Sequence, residues 1–355
     1  MAARLKRLSD QVLVLTGATS GIGLVTARTA ARRGARLVLA ARNEGALKSL
    51  TEEINSRGGE AIYVVADVGS SEDVEKIADA ALRHFGGFDT WVNNAGVSIY
   101  GRVLEVSDED HRRMFDTNYW GVVYGSRAAV KLLRHRGGAL INVGSALSDR
   151  AIPIQGTYCA SKHAVKGYTD ALRMELEEEG APVWVTLIKP SAIDTPYRAH
   201  AKNYMEVEPL IPPPVYAPEP VAEAILHCAE QPERDVYVGG GGKFLSVAGA
   251  RAPRLTDKAM ESIIFDLQRS DTPAPPDRRD SLHAPSRDME ERGGYPGHVA
   301  ESSLYTKASL HPLVTGAIIL GAGFALSAWL ARSRDGRDGN RSDGGGYVQT
   351  EVGIL

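Results

Sequence analysis

A chain of 355 residues, 43% of them hydrophobic, exceeds the size at which single cores stop growing, so one domain plus additional sequence is expected. Its 41 basic and 44 acidic side chains leave a formal net charge of -3, which gives no basic field for nucleic acid. Two cysteines, Cys159 and Cys228, make no disulfide framework and suit a reducing compartment, and the nine histidines show no metal-ligand spacing, so no metal is expected. Arg4, Lys6 and Arg7 precede an apolar run too short for a secretory leader, and no cleaved signal peptide is expected.

Residues 12–15 are a Val-Leu-Val-Leu run suited to a strand buried on both faces. It runs into Thr16-Gly17-Ala18-Thr19-Ser20-Gly21-Ile22-Gly23, and alanine-rich residues 24–33 then read as a helix. Glycines between a strand and a helix N-terminus let the backbone approach a pyrophosphate, whose charge meets free N–H groups. The second strand, residues 36–41, should end where such a fold selects its cofactor. That place holds Ala41 and Arg42 in place of a carboxylate, which favours NADP, with Glu44 keeping NAD as the lesser possibility.

Helix 44–56, strand 61–66, helix 71–85 and strand 89–93 continue the alternation and predict an α/β, doubly wound parallel sheet. Asp67 closes the third strand and Asn93-Asn94-Ala95-Gly96 the fourth, at the carboxyl ends where ligands of such sheets lie. Residues 108–134 read as one long helix with Asn118 inside it, a poor interior helix residue. Strand 139–143 leads to Gly144 and Ser145.

Tyr158 and Lys162 stand four apart, on one face of a helix. An ammonium beside a phenol stabilises the phenolate and should lower the tyrosine pKa from about 10 toward the operating pH. Such a pair is also an ordinary exposed arrangement, so the surrounding motifs must decide. Ala160, Ala164, Tyr168, Leu172 and Leu176 form a second stripe roughly 200° round, expected in the core or at a subunit contact.

Taken together, TGATSGIG, Asp67, NNAG, Asn118, Ser145, YCASK and the segment 190–195 make residues 10–245 resemble a short-chain dehydrogenase/reductase of the compact, single-domain branch. The spacing Gly17-x-x-x-Gly21-x-Gly23 fits that branch and not the extended one. The resemblance implies a Rossmann fold over residues 8–245 and a catalytic tetrad of Asn118, Ser145, Tyr158 and Lys162. It implies cofactor contacts from Gly17, Thr19, Ser20, Gly21, Ile22, Gly23, Arg42, Asp67, Val68, Asn94, Ala95, Gly96, Tyr158, Lys162, Pro190, Ile193 and Thr195. Tyr158 would be the general acid/base, Ser145 would polarise the carbonyl, Lys162 would hold the nicotinamide ribose, and Asn118 would support a proton-relaying water. A homodimer or homotetramer is implied as well. Ser191 stands where the family usually has glycine, so the backbone path there is expected to differ. A small-molecule carbonyl or alcohol is the implied substrate; the apolar residues of the loop 196–220, Tyr197, Tyr204, Met205, Leu210 and Ile211, suggest a lipophilic one. A catalytically idle nucleotide-binding regulator and an isomerase or dehydratase on the same fold are the alternatives.

Past residue 245, residues 246–268 read as a helical extension and 269–312 as a flexible linker rich in Pro, Asp, Arg and Ser. Residues 313–331 carry no charge and as a helix would reach ~28 Å, so they predict a membrane-crossing helix, followed by a polar tail at 332–355. Arg332, Arg334, Arg337 and Arg341 would put the tail in the cytoplasm by the positive-inside rule, whereas the cofactor requires the catalytic domain there. The cofactor requirement is given precedence: a cytoplasmic catalytic domain, membrane-associated through its C-terminus.

Overall fold

In the computed structural model, which describes residues 5–286, 289–311 and 315, seven parallel strands form one sheet. They are β1 (Val12–Thr16), β2 (Arg36–Ala41), β3 (Glu60–Val65), β4 (Thr90–Asn93), β5 (Gly138–Val143), β6 (Val183–Pro190) and β7 (Asp235–Val238). Their order is β7-β6-β5-β4-β1-β2-β3, and every pairing is parallel. Because successive parallel strands need crossovers, helices cover both faces and the strands read as continuous apolar runs. Leu13, Leu15, Leu37, Leu39 and Trp91 are fully buried, each leucine contributing about 1.5–3 kcal/mol by burial. This is the Rossmann-like architecture that the alternation predicts. The chain leaves β1 toward β2 on one side and β4 lies on the other, so the crevice at the carboxyl ends of β1 and β4 is the topological switch point.

The helices between the strands are α1 (Gly21–Arg32), α2 (Glu44–Ser56), α3 (Ser71–Phe85), α4 (Asp108–Phe115), α5 (Gly121–Arg136), α6 (Gly156–Glu178) and α7 (Glu219–Glu230). Asn43 caps α2 by accepting from Ala46 N at 3.0 Å, and Ser70 caps α3 by accepting from Asp73 N at 3.2 Å.

The single helix expected over 108–134 is two helices joined by a π-helical turn, Asp116–Trp120. Asn118 lies in that turn, fully buried. Its Oδ1 accepts from Val97 N at 2.8 Å and its Nδ2 donates to Val97 O at 3.0 Å. Satisfying both backbone groups of one loop residue turns the asparagine inward, and the extra residue of the π turn provides the rotation.

On α6 the buried line is Lys162, Val165, Thr169, Arg173 and Leu176, so the face bearing the Tyr-Lys pair is the inward one. The predicted stripe is largely half-buried, with Ala160 exposed and Leu176 alone in the core. Trp120 and Met174, 42% and 58% exposed, leave apolar surface on the same layer.

The helical extension begins earlier than 246, with Gly240–Arg251, Pro253–Ala259, a π turn Met260–Ile264 and Phe265–Leu267. The composition of 269–312 predicts a flexible linker, but its described part up to Thr306 is bonded to the domain. Arg269–Pro273 pairs with Val207–Pro209, Val299–Ala300 pairs with Val215–Tyr216, and Arg292 pairs with Glu219 and Glu301. A polar segment cannot build its own core, yet it can borrow backbone partners from one that already exists. Among the described residues no helix is long and apolar enough to cross a membrane; the predicted crossing, 313–331, lies outside them except for Thr315, and the tail lies wholly outside.

Candidate active site

The loop after β1 is built by steric necessity. Gly17 has φ +66° and a Cβ there would lie 2.7 Å from Ala95 Cα; a Cβ on Gly23 would lie 1.9 Å from Gly17 O. Thr16 Oγ1 accepts from the backbone N–H of Asn94 and Ala95 at 3.0 and 3.1 Å, and Asn94 Nδ2 donates to Thr16 O and Gly17 O at 3.0 and 3.1 Å. The ends of β1 and β4 are thereby locked, and the N-terminus of α1 faces the crevice with Ser20 at its N-cap.

A cavity of ≈ 520 Å³ opens there, and every residue singled out for cofactor or chemistry lines it apart from Asn118. At one end are Ala41, Arg42 and Asn43 after β2, beside Asp67 and Val68 after β3. Gly17, Thr19, Ser20, Gly21, Ile22 and Gly23 with Asn94, Ala95 and Gly96 form the middle, and Pro190, Ile193 and Thr195 border it. Ser145, Tyr158 and Lys162 meet at the other end, where Ile152, Ile211, Pro212, Pro214, Phe244, Leu245, Met260 and Ile264 make an apolar wall. Of the loop aromatics and aliphatics, Tyr197 and Ile211 reach the cavity and Tyr204, Met205 and Leu210 do not. Tyr204 donates instead to Asp110 Oδ2 at 2.7 Å.

Asn118 sits behind the cavity. Its Nδ2 donates to Ser161 Oγ at 3.0 Å, and Ser161 Oγ donates to Tyr158 O at 2.8 Å, so the amide fixes the helix under the tyrosine. Ser145 Oγ accepts from Leu147 N at 3.1 Å. Lys162 Nζ donates to Val143 O at 2.9 Å and lies 5.7 Å from the centre of the Tyr158 ring. Burial lowers the lysine to about 8. Burial also pushes the Tyr158 phenol up to about 12, against the pull of hydrogen bonds with Ser145 and Tyr197. The expected depression of the Tyr158 pKa by Lys162 is therefore corrected: the ammonium addresses the backbone and the ring face, and desolvation prevails.

Several contributors escape the motifs. Tyr197 packs edge-on against Tyr158 with centroids 5.5 Å apart; its hydroxyl accepts from Ser98 Oγ at 2.6 Å and donates to Gln155 Oε1 at 2.8 Å. Gln155 Nε2 donates to Gln268 Oε1 at 2.7 Å. Ile154, between Ser145 and Tyr158, has φ +68°, a conformation costing a β-branched residue about 1–3 kcal/mol. Ser191, in the place of a glycine, bonds both sides of a turn: its hydroxyl donates to Gly239 O and accepts from Gly242 N, each at 3.0 Å. None of these partners is close in sequence.

A glycine turn at the switch point of a parallel sheet, facing a Ser-Tyr-Lys group across one cavity, defines a dinucleotide-binding oxidoreductase. Known proteins narrow that class, and the chain belongs to the short-chain dehydrogenase family, whose profile, described as short chain dehydrogenase, matches residues 11–205. An uncharacterized oxidoreductase, YxnA, of Bacillus subtilis (strain 168) is 52% identical over 334 residues, 93% of each chain. A short-chain dehydrogenase/reductase of Burkholderia phymatum, solved in complex with NAD, is 26% identical with a TM-score of 0.61 over 76% of this chain and all of that one. A short chain dehydrogenase of Burkholderia cenocepacia, solved with NADP, is also 26% identical with a TM-score of 0.61, over 72% of this chain and 99% of that one. A nicotinamide cofactor fits the residues present: the packing that leaves no room for a Cβ at Gly17 or Gly23 holds the turn tight against the end of β4 and sets the N-terminus of α1 in the cavity wall, where a diphosphate would meet the helix dipole and compete with Glu290 O, 2.8 Å from Gly21 N, for that N–H.

Proposed function

We propose that this oxidoreductase interconverts a lipophilic carbonyl compound and its alcohol, with NADP preferred over NAD. The observation that carries the reading is one cavity with Arg42 at one end, an apolar wall at the other, and Ser145, Tyr158 and Lys162 at the apolar end. A bound nicotinamide supplies the hydride exchange. Tyr158 holds the proton: a phenol pushed up to about 12 stays protonated at neutral pH and donates to the developing alkoxide, a contribution of about 10²–10⁴-fold. Ser145 donates a hydrogen bond to the same oxygen and stabilises its growing charge. Lys162 brings a cation beside the tyrosine and a donor toward the ribose. Asn118 keeps the turn of α6 in place through Ser161.

The test is to follow nicotinamide absorbance with NADPH and NADH against ketones, aldehydes, steroids and acyl carbonyls. Turnover confined to apolar members with NADPH supports the reading, and no turnover of any member with either cofactor contradicts it. Two further parts rest on the sequence and the family: attachment to the cytoplasmic side of a membrane through 313–331, and a homodimer or homotetramer formed over the layer bearing Trp120 and Met174. Detergent-free fractionation and light scattering of the full chain test them.

A further inference from the structure

Arg42 does not stand alone at its end of the cavity. Its Nη2 donates to Ser281 O at 2.5 Å and its Nη1 to Leu282 O at 3.2 Å, two carbonyls some 240 residues along the chain. Leu282 O also accepts from Arg113 Nε at 3.0 Å, and Arg113 Nη2 holds Asp67 Oδ2 at 2.5 Å. Next to them Asn43 Nδ2 donates to Ser286 O at 2.7 Å. Ser281 and Ser286 line the cavity together with Arg42 and Asp67.

The two carbonyls are themselves firmly held. Leu282 is fully buried against Val97, Ile99, Val106 and Met114. Its N–H donates to Asp280 Oδ1 at 3.0 Å, Asp280 pairs with Lys202 at 3.5 Å, and Ser281 N donates to His200 O at 2.7 Å. A guanidinium has five N–H donors; among the described residues one on each Nη is used here, which leaves donors for a ligand. The partners of Arg42 are neutral dipoles, and among the described residues the carboxylate that acts on it, Asp67, is already bonded to Arg113. Among the described residues, two guanidiniums against one carboxylate make the cluster cationic, which suits a phosphate group better than a hydroxyl. An arginine fixed before binding also loses less side-chain entropy when the phosphate arrives.

We infer that residues 280–282 are positioning residues of the cofactor site, which clamp Arg42 through the Ser281 and Leu282 carbonyls and so create selectivity for a 2′-phosphorylated dinucleotide. The inference rests on the NADP reading of Arg42 and adds a part of the site contributed from beyond the region that the family profile matches.

The experiment uses the full chain and measures dissociation constants for NADPH and NADH by fluorescence titration. Leu282→Ala loosens the anchor; Asp280→Ala, a milder change away from the core, covers the case in which the first variant fails to fold. Each variant should weaken NADPH at least fivefold and NADH less than twofold. In an Arg42→Ala background neither should add more than a twofold further loss of NADPH. Parallel losses of both cofactors, a gain in NADPH affinity, or an undiminished effect without Arg42 would each overturn the inference. If Arg42→Ala separates the cofactors while both clamp variants are silent, the clamp alone is wrong. If Arg42→Ala itself does not separate them, the NADP reading falls and the clamp with it.

Discussion

Adding one methyl group at Gly23 should disable binding of both cofactors. The Cβ would stand 1.9 Å from Gly17 O and 2.7 Å from Asn94 Nδ2, against a contact distance of roughly 3.5 Å, so the turn must open by roughly 1.5 Å. That movement breaks the Asn94 bond to Gly17 O, 3.1 Å in the parent, a loss of about 0.5–1.5 kcal/mol. It also displaces the first N–H groups of α1 from a bound diphosphate, a charge-assisted contact of about 1.5–3 kcal/mol. Together these amount to about 2–4.5 kcal/mol, or roughly 30- to 2,000-fold in the dissociation constant, for NADPH and NADH alike. Fluorescence titration with each cofactor, with thermal melting alongside, measures it. Gly167→Ala is the control: a Cβ there meets nothing within 4 Å, in the interior of α6, so affinity should hold and stability rise by about 0.5–1 kcal/mol. Parent-like affinity in Gly23→Ala would refute the steric argument and the placement of the diphosphate.

Arg42→Ala should weaken NADPH by about 1.5–3 kcal/mol, the scale of a charge-assisted bond, and change NADH little; equal losses in titration contradict the assignment. The pH profile follows from Tyr158. Because burial holds its phenol at about 12, above the ordinary tyrosine value, the donor form persists through neutrality. The rate of carbonyl reduction at saturating NADPH should be flat from about pH 5 to 7 and decline as Lys162, lowered to about 8, loses its charge, while alcohol oxidation, which needs the phenolate, should rise with pH. A reduction rate that falls tenfold between those values would show the proton coming from a group of lower pKa.

The parallel sheet was legible because strands buried on both faces leave unbroken runs such as Val12 to Leu15, and because the glycine turn and the Tyr-Lys pair are local in sequence. The break at Asp116–Trp120 was legible only as Asn118, a poor interior helix residue; its cause is a pair of bonds that Asn118 exchanges with the Val97 backbone across 21 residues, and nothing in Val97 signals it. The direction of the Tyr158 pKa is hidden from the sequence for a related reason: spacing places Lys162 on the same face, but burial and the Val143 carbonyl depend on neighbours that spacing does not name. The segment around Leu282 offered a single apolar residue among prolines and charges, and its value to the fold lies in backbone carbonyls, which every residue carries. Composition therefore identified a segment unable to fold alone and missed that the domain provides its partners.

The proton-donor role of Tyr158 is tested most directly by Tyr158→Phe, which removes one hydroxyl and keeps the ring that packs against Tyr197. With a substrate identified from the carbonyl panel, turnover should fall by at least about 10²-fold while the NADPH dissociation constant stays within about twofold. Turnover within tenfold of the parent, with cofactor bound equally well, would contradict the account.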